Sequence, residues 1–318
     1  MGNPLLTLAV WTARWLPMPV KRGLYRFPPL AGALRGALNR AAPHGLTQVT
    51  VAAGGLAGVN LLLDLQQEKD YWLGTYEPEL QAAAAELVKP GMTVYDVGAN
   101  IGYISLLLAQ RLGAHGRVYA FEALPANLER LEANLELSGY AGRVTVVPAA
   151  VVEQERQVRF LVGPSGGMGK ADGSAGRQDV AYSQSIEVAG LSLDSFVYRD
   201  GNPAPQVVKM DIEGGEVLAL PGMRRLLEEA RPLVLLELHG QEAARAAWEA
   251  FAQARYRLYP MHDRRAPIRS IDELDWKAYL IAVPFTADPI LALRGRGRGE
   301  NLMQALMEYR KDERQREP

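Results

Sequence analysis

Three carboxylates, Asp211, Glu213 and Glu216, fall within the stretch Lys209-Met210-Asp211-Ile212-Glu213-Gly214-Gly215-Glu216. The apolar run that follows ends in Glu237-Leu238-His239-Gly240. Each group stands where a strand-like run gives way to polar residues, and open α/β sheets bind ligands at that carboxyl edge. Asp211, Glu237 and His239 are therefore expected to converge on one crevice. The chemistry such a set could do is proton transfer, to which a placed base contributes roughly 10²–10⁴-fold. His239 is the expected base, because an ordinary imidazole, of pKa ~6.5, is neutral at cellular pH. Asp211 is the second candidate. The competing readings are structural: a strand-end histidine bonded to backbone, and acids capping a helix N-terminus.

A second constellation lies upstream. The run Thr93–Val97 passes through Asp96-Val97-Gly98-Ala99-Asn100-Ile101-Gly102 into a helical stretch. Glycine at such a turn lets the backbone approach a ligand with no Cβ in the way, and Asn100 tolerates the left-handed conformation better than most residues. The dinucleotide fingerprint G-x-G-x-x-G seats a pyrophosphate on a turn of this kind. Here its middle glycine is missing and the Asp96 carboxylate stands beside the loop. A carboxylate repels a pyrophosphate and welcomes an ammonium group; S-adenosylmethionine has the ammonium and no phosphate. Glu122 closes the next strand-like run, 20 residues beyond Gly102. An acid at about that spacing accepts hydrogen bonds from both ribose hydroxyls. Asp96 and Glu122 are thus read as recognising opposite halves of that donor. A tight turn without a ligand and a solvated strand-end acid are the bland alternatives.

These groups need a sheet behind them. Strand-like runs recur at Thr93–Val97, Arg117–Phe121, Val144–Val147, Val207–Met210, Leu233–Leu238 and Tyr279–Val283. Helical stretches lie at Gly102–Leu112, Pro125–Ser138, Gly214–Glu229 and Gln241–Ala254. Apolar side chains at successive positions, as in Val234-Leu235-Leu236, mark strands covered on both faces. The alternation predicts an α/β fold with a doubly wound, Rossmann-like, mostly parallel sheet. Residues 153–190 interrupt it with two alternating runs, Gln157–Val162 and Ser183–Val188, around six glycines between Gly163 and Gly176. This reads as an inserted β-hairpin with a mobile tip, placed to act as an acceptor lid. Its Gly166-Gly167-Met168-Gly169-Lys170 fails the phosphate-loop template, with Pro164 in place of the first glycine and Ala171 in place of the hydroxyl. Three segments are expected: a basic extension over 1–70, with amphipathic helices and then a β-hairpin, a domain over 71–290, and a charged tail over 291–318.

Composition removes several classes. There is no cysteine among the 318 residues, so disulfides, thiolate nucleophiles and cysteine-ligated metals are excluded. Four histidines, His44, His115, His239 and His262, do not make a histidine metal cage. The net charge is −1, yet residues 1–63 hold six Lys/Arg and no Asp or Glu, leaving 29 basic against 36 acidic residues elsewhere. The apolar run from Pro4 ends at Arg14, short of the ~20 residues that span a bilayer, and no positive charge precedes it as in a secretory signal. A cytoplasmic protein is expected. Leu5, Leu8, Trp11, Trp15 and Leu16 beside Arg14, Lys21 and Arg22 suit an interfacial helix on the inner face of an anionic membrane. The rival is packing against the domain or a second copy in a homo-oligomer. The Arg294–Arg298 run has no stacking aromatics, so no nucleic-acid partner is expected.

The string Val94-Tyr95-Asp96-Val97-Gly98-Ala99-Asn100-Ile101-Gly102-Tyr103, together with Phe121-Glu122, Leu193-Asp194, the Lys209–Glu216 stretch and Tyr76-Glu77-Pro78-Glu79, resembles the FkbM family of S-adenosylmethionine-dependent methyltransferases. The resemblance covers roughly residues 71–240. It implies methylation of a hydroxyl oxygen, commonly on sugars of glycolipids, polysaccharides or natural products, so the partner is a small-molecule or glycan acceptor. Carried over, Asp96, Gly98, Asn100 and Gly102 hold the methionine half of the cofactor and Glu122 the ribose. Asp211 and Glu213 face the transfer site, Asp211 also touching the cofactor, and Glu77 joins the cofactor set. Where the family usually reads Glu-Pro, this chain has Glu122-Ala123-Leu124-Pro125. Catechol-type O-methyltransferases of similar fold place a divalent ion on acids at the same two strand ends. Asp211 and Glu237 are the ligands here if a hard ion such as Mg²⁺ takes part; no metal is otherwise expected.

Two other classes stand beside this one. A nucleotide-dependent oxidoreductase on a related sheet is disfavoured by the absent middle glycine and by Asp96. A non-catalytic, membrane-associated nucleoside-binding module would keep the pocket without turnover. Amino-group and nucleic-acid methylation are disfavoured because Asp211-Ile212-Glu213-Gly214 replaces their Asn/Asp-Pro-Pro-aromatic turn.

Overall fold

The computed structural model describes residues 4–15, 28–163, 168–176, 180, 182, 184–262, 266–275 and 277–285. Leu16, Lys21 and Arg22 of the extension, Pro164, Gly166 and Gly167 of the insertion, and the tail with Arg294–Arg298 lie outside them.

Helices α1 (Pro4–Trp15) and α2 (Pro28–Ala41) come first, then the antiparallel pair β1 (Leu46–Thr50) and β2 (Asn60–Asp64), with Leu46 opposite Asp64. Helices α3 (Lys69–Leu73) and α4 (Pro78–Leu87) lead into the main sheet. Its first half is β3 (Thr93–Val97), α5 (Tyr103–Leu112), β4 (Arg117–Glu122), α6 (Pro125–Ser138) and β5 (Val144–Pro148). A second sheet follows, from β6 (Ala150–Val151), β7 (Arg156–Val162), β8 (Gly169–Ala171) and β9 (Gln184–Leu191). Helix α7 (Leu193–Tyr198) returns the chain to β10 (Val207–Met210), the short α8 (Glu216–Ala219), β11 (Leu233–His239), α9 (Gln241–Gln253), β12 (Tyr256–Pro260) and β13 (Lys277–Pro284).

The main sheet runs β12-β13-β11-β10-β3-β4-β5. Its five central and outer strands from β11 to β5 are parallel, and β13 is antiparallel to both β11 and β12. The chain builds outward from β3 in one direction and from β10 in the other. The carboxyl edge between these two neighbours is therefore the switch point at which such sheets bind ligands. Strand side chains alternate between two cores. Val94, Val118, Val207, Leu233 and Leu235 join the cluster under α4, α5 and α6. Tyr95, Phe121, Val208, Val234 and Leu236 join the one under α7, α8 and α9. Both faces are covered, which is why these strands read as continuous apolar runs.

Three expectations need correction. The stretch Gly214–Glu229 is not one helix: α8 gives way to a 3₁₀ turn at Leu220–Met223 and a wide π turn at Leu226–Ala230. Pro221 has no N–H to donate, and Gly222 passes so close to the Val152 carbonyl oxygen that a Cβ would collide with it. The insertion is more than a hairpin. Its strands form a four-stranded sheet, ordered β6-β9-β7-β8, whose Val158, Phe160, Ala171 and Val188 pack on Ala123 and Leu124 just beyond β4. Strand β12 was not anticipated at all. The basic extension also joins the fold, since Leu6, Ala13, Leu38 and Ala42 are buried in the same cluster as the sheet.

Candidate functional site

At the end of β3 the chain turns at once, with positive φ at Gly98 (79°), Asn100 (50°) and Gly102 (90°). Gly98 and Ala99 donate their N–H groups to the Phe121 carbonyl oxygen at 3.0 and 2.9 Å. Asn100 donates its N–H to Glu122 Oε2 at 2.8 Å. The glycines answer a need of the protein itself: a Cβ on Gly98 would strike the Asp211 carbonyl oxygen, and one on Gly102 the Leu131 side chain. Asn134 of α6 steadies the far end, donating from Nδ2 to the Ile101 carbonyl at 2.9 Å and accepting the Leu62 N–H at 2.7 Å.

The loop floors a cleft. At one end stand Glu122, Asn127, Ala150 and Phe160; at the other, Tyr71, Tyr76, Tyr103 and Asp211. Glu122 Oε1 accepts the N–H groups of Ala123 and Leu124 at 3.0 and 2.8 Å. The departure from Glu-Pro thus has a use, because a proline at 123 would have no N–H to give. Burial pushes the Glu122 carboxyl up, against the pull of these backbone donors. They fix its direction at the cleft wall.

Asp96 does not line this cleft. It is 0 % exposed, with Oδ2 accepting from the Ser105 hydroxyl at 2.6 Å and Oδ1 3.1 Å from Lys209 Nζ. The carboxylate read as a receptor for a ligand ammonium already holds one belonging to the chain. Lys209 also donates to the Gly98 carbonyl oxygen at 2.8 Å, so the pair braces the turn, and Lys209, unlike Asp96, is among the residues that line the cleft.

At the opposite end the strand tips of β10 and β11 bring four groups together. His239 Nδ1 lies 3.8 Å from Asp211 Oδ1, and its Nε2 lies 3.1 Å from Glu237 Oε1 and 3.8 Å from Glu213 Oε2. Glu237 and His239 share a face of β11 because side chains two apart on a strand point the same way. Burial lowers the His239 pKa, but the hydrogen bond to Glu237 and the charges of Asp211 and Glu213 outweigh it and carry it up to about 9. A pKa there holds the proton on His239 at neutral pH, the opposite of the neutral imidazole expected from its ordinary value. Burial raises Asp211, and the Glu237 charge adds to this; Lys209 and His239 oppose it, leaving a pKa of about 6. Asp211 is thus ionised at pH 7 and able to accept a proton. Glu216 is wholly buried, with burial raising it to about 8, so this third acid of the motif is a neutral carboxyl.

Asp211, Glu237 and His239 each present a ligand atom within 4.8 Å of the others. The set does not fit a cation well as it stands. Lys277 Nζ sits 2.6 Å from Glu237 Oε1, and the protonated His239 occupies the same oxygen. Two positive groups already neutralise the acid that a metal would need.

Glu77 is displaced from its expected place. It lies in an adjoining cleft with Glu79, Glu213, Glu237, Lys277 and Tyr279, rather than on the wall of the first. The chain turns there in the left-handed conformation, φ 43°, before Pro78 starts α4. Burial, then the Asp211 charge, raise Glu77 to about 7. Tyr76, Asp211 and Glu213 border both clefts. Tyr71, Tyr76 and Tyr103 form a cluster with ring centroids 4.2 to 5.8 Å apart, and burial keeps the Tyr71 and Tyr76 hydroxyls protonated. Tyr76 and Tyr103 stand within the motifs quoted above; nothing in the sequence singles out Tyr71.

The methyltransferase FkbM domain matches residues 96–264, more than half of the chain. This chain belongs to the FkbM methyltransferase family. The chain is 27% identical over 146 residues to the hexuronic acid methyltransferase AglP of Haloferax volcanii, covering 46% of this chain and 55% of that protein. A protein-L-isoaspartate O-methyltransferase of Aeropyrum pernix is 51% identical over 59 residues, 19% of this chain and 23% of the relative. The chain thus spans about half, or less, of the length of these curated relatives. Among solved structures, the FkbM methyltransferase from Methylobacillus flagellatus aligns with a TM-score of 0.41 at 20% identity, covering 69% of this chain and 53% of that one.

Proposed function

We propose that this FkbM protein is an S-adenosylmethionine-dependent O-methyltransferase acting on a sugar hydroxyl. One observation carries the reading: a cleft running from Glu122 to Asp211 opens beside a second, acid-lined cleft, with Tyr76, Asp211 and Glu213 common to both. In this reading the adenosine lies at the Glu122 end, its ribose hydroxyls donating to that carboxylate. The methyl points toward Asp211, and the tyrosine rings offer negative faces to the sulfonium charge.

The acceptor enters by the second cleft. Its oxygen attacks the methyl carbon in line with the carbon–sulfur bond, that bond's electrons leave with sulfur, and the hydroxyl proton passes to an Asp211 carboxylate oxygen. S-adenosylhomocysteine and a methyl ether result. Alignment supplies much of the acceleration, and Asp211 removes the proton that a weakly acidic alcohol would otherwise retain. His239, as an imidazolium 3.8 Å away, keeps Asp211 ionised between turnovers. The likeness to a hexuronic acid methyltransferase supports a sugar acceptor. Around the second cleft Lys277 is taken up by Glu237, and the further acids Glu79 and Glu213 there favour a neutral sugar over an anionic one.

Incubation with methyl-labelled S-adenosylmethionine and fractions of neutral and acidic glycolipid and polysaccharide, read by mass spectrometry, tests this. Label on a hydroxyl of a neutral sugar is expected. Label confined to amines or carboxylates, with none on any hydroxyl, would overturn it.

A further inference from the structure

Helix α1 has two apolar faces, one buried against the main core and one exposed. Leu6 and Ala13 are buried, and Ala9 and Val10 pack against the main core. Leu5, Leu8, Trp11 and Trp15 are instead 48, 56, 56 and 67 % exposed. At 3.6 residues per turn these four side chains cover an arc of about 120°, opposite the packed one. Among the described residues, Leu46 and Phe285 alone are comparable large apolar side chains in water. Four of six on one short helix form a patch, and a patch of this kind marks an interaction surface. Two of the four are tryptophans, whose amphipathic rings favour the level of lipid headgroups.

Charge selects the occupant. Residues 1–63 carry six Lys/Arg and no acid, whereas the rest of the chain has an acidic excess. Arg14 is exposed on the flank of α1, beside Trp15. Apolar side chains on one helix face within a purely basic segment match a surface that is itself apolar below and negative above. No helix of the described residues is long and apolar enough to cross a membrane, so the contact is a peripheral one. We propose that α1 docks this protein on the surface of an anionic lipid bilayer, with Leu5, Leu8, Trp11 and Trp15 in the boundary between headgroups and acyl chains.

The docked helix lies next to the site. Its packed face touches α3, and Tyr71 of α3 lines the cofactor cleft. Binding to lipid does not depend on which reaction the cleft performs, so the two readings fail separately.

Flotation of the full-length protein with vesicles of phosphatidylcholine, with and without phosphatidylserine, tests the inference. Recovery with the anionic vesicles is expected, falling with added salt, and dropping at least about tenfold in the Trp11→Ser/Trp15→Ser variant, since losing two buried indoles exceeds the 1.4 kcal/mol that a factor of ten represents. The same loss is expected of Leu5→Gln/Leu8→Gln, with both variants keeping the thermal midpoint of the parent. Equal recovery of parent and variants, or no recovery of the parent on anionic vesicles, would overturn the inference. Trp11-dependent self-association in sedimentation velocity without flotation would make a second copy the occupant. Flotation appearing only after removal of residues 286–318 would make that segment the occupant. Either result also overturns it.

Discussion

Lys209 Nζ lies 3.1 Å from Asp96 Oδ1, and both side chains are buried. The two residues are direct register partners across β10 and β3. The acid at the end of the first sheet strand is thus answered from the neighbouring strand, and its work is to hold the turn at Gly98 in place. Asp96→Asn should leave a buried ammonium uncompensated and cost about 3–5 kcal/mol. The Asp96→Asn/Lys209→Met double variant should regain much of this. Denaturant unfolding of the three proteins checks it. A single variant as stable as the parent, impaired only in cofactor affinity, would restore Asp96 as a ligand-binding residue.

Asp211 is assigned the proton. Asp211→Asn should lower kcat by roughly 10²–10⁴-fold while S-adenosylhomocysteine still binds, because the variant keeps the shape of the cleft. In the parent, kcat should fall as the pH drops through about 6, where Asp211 takes up a proton. A pH profile of kcat at saturating substrates is the measurement. A variant whose profile and turnover match the parent would move the base elsewhere, with Glu77 next in line.

Glu216 gives a stability effect of definite sign. Its folded pKa, about 8, lies above the ordinary 4.5. The folded state therefore holds the proton more tightly, and the stability present below pH 4.5 is lost progressively as the pH rises through about 8. Glu216→Gln removes the titrating group and should flatten the dependence, gaining on the order of 3–4 kcal/mol on the parent between pH 5 and pH 8. Urea unfolding of both proteins across that range reads the slope. Parallel curves would contradict the assignment.

Much of the frame was legible. Strands β3, β4, β5, β10, β11 and β13 follow from β-branched and apolar runs, because a strand buried on both faces has few residue choices. Strand β12 escaped because Tyr-Arg-Leu-Tyr-Pro carries no such run, only an alternation that β13 completes by pairing. The convergence of Asp211, Glu237 and His239 was readable from strand ends, since the parallel order places them side by side. Their protonation was not. The His239 pKa depends on Glu237 and Glu213 lying at 3.1 and 3.8 Å, distances no spacing encodes. The burial of Asp96 depends on Ser105 and Lys209, residues that meet it only through the helix turn and the strand register. Gly98 and Gly102 were recognisable as required glycines, but the atoms that require them belong to Asp211 and Leu131.

Metal removal separates two routes for activating the acceptor. Lys277 and His239 already neutralise Glu237, so dialysis against a chelator should leave turnover within about twofold of the untreated enzyme, a difference under 0.5 kcal/mol. Loss of activity restored by Mg²⁺ or Mn²⁺ would show that the ion displaces Lys277 and completes the site.

In the proposed mechanism the cleft between Glu122 and Asp211 binds a sulfonium nucleoside by its ribose at the Glu122 end. Titration calorimetry with S-adenosylhomocysteine on the parent and on Glu122→Gln reads that binding apart from turnover. Saturable binding by the parent is expected, weakened at least about tenfold by the substitution, the loss of one hydrogen bond to a charged group. No binding to the parent, or equal affinity of the two proteins, would contradict it.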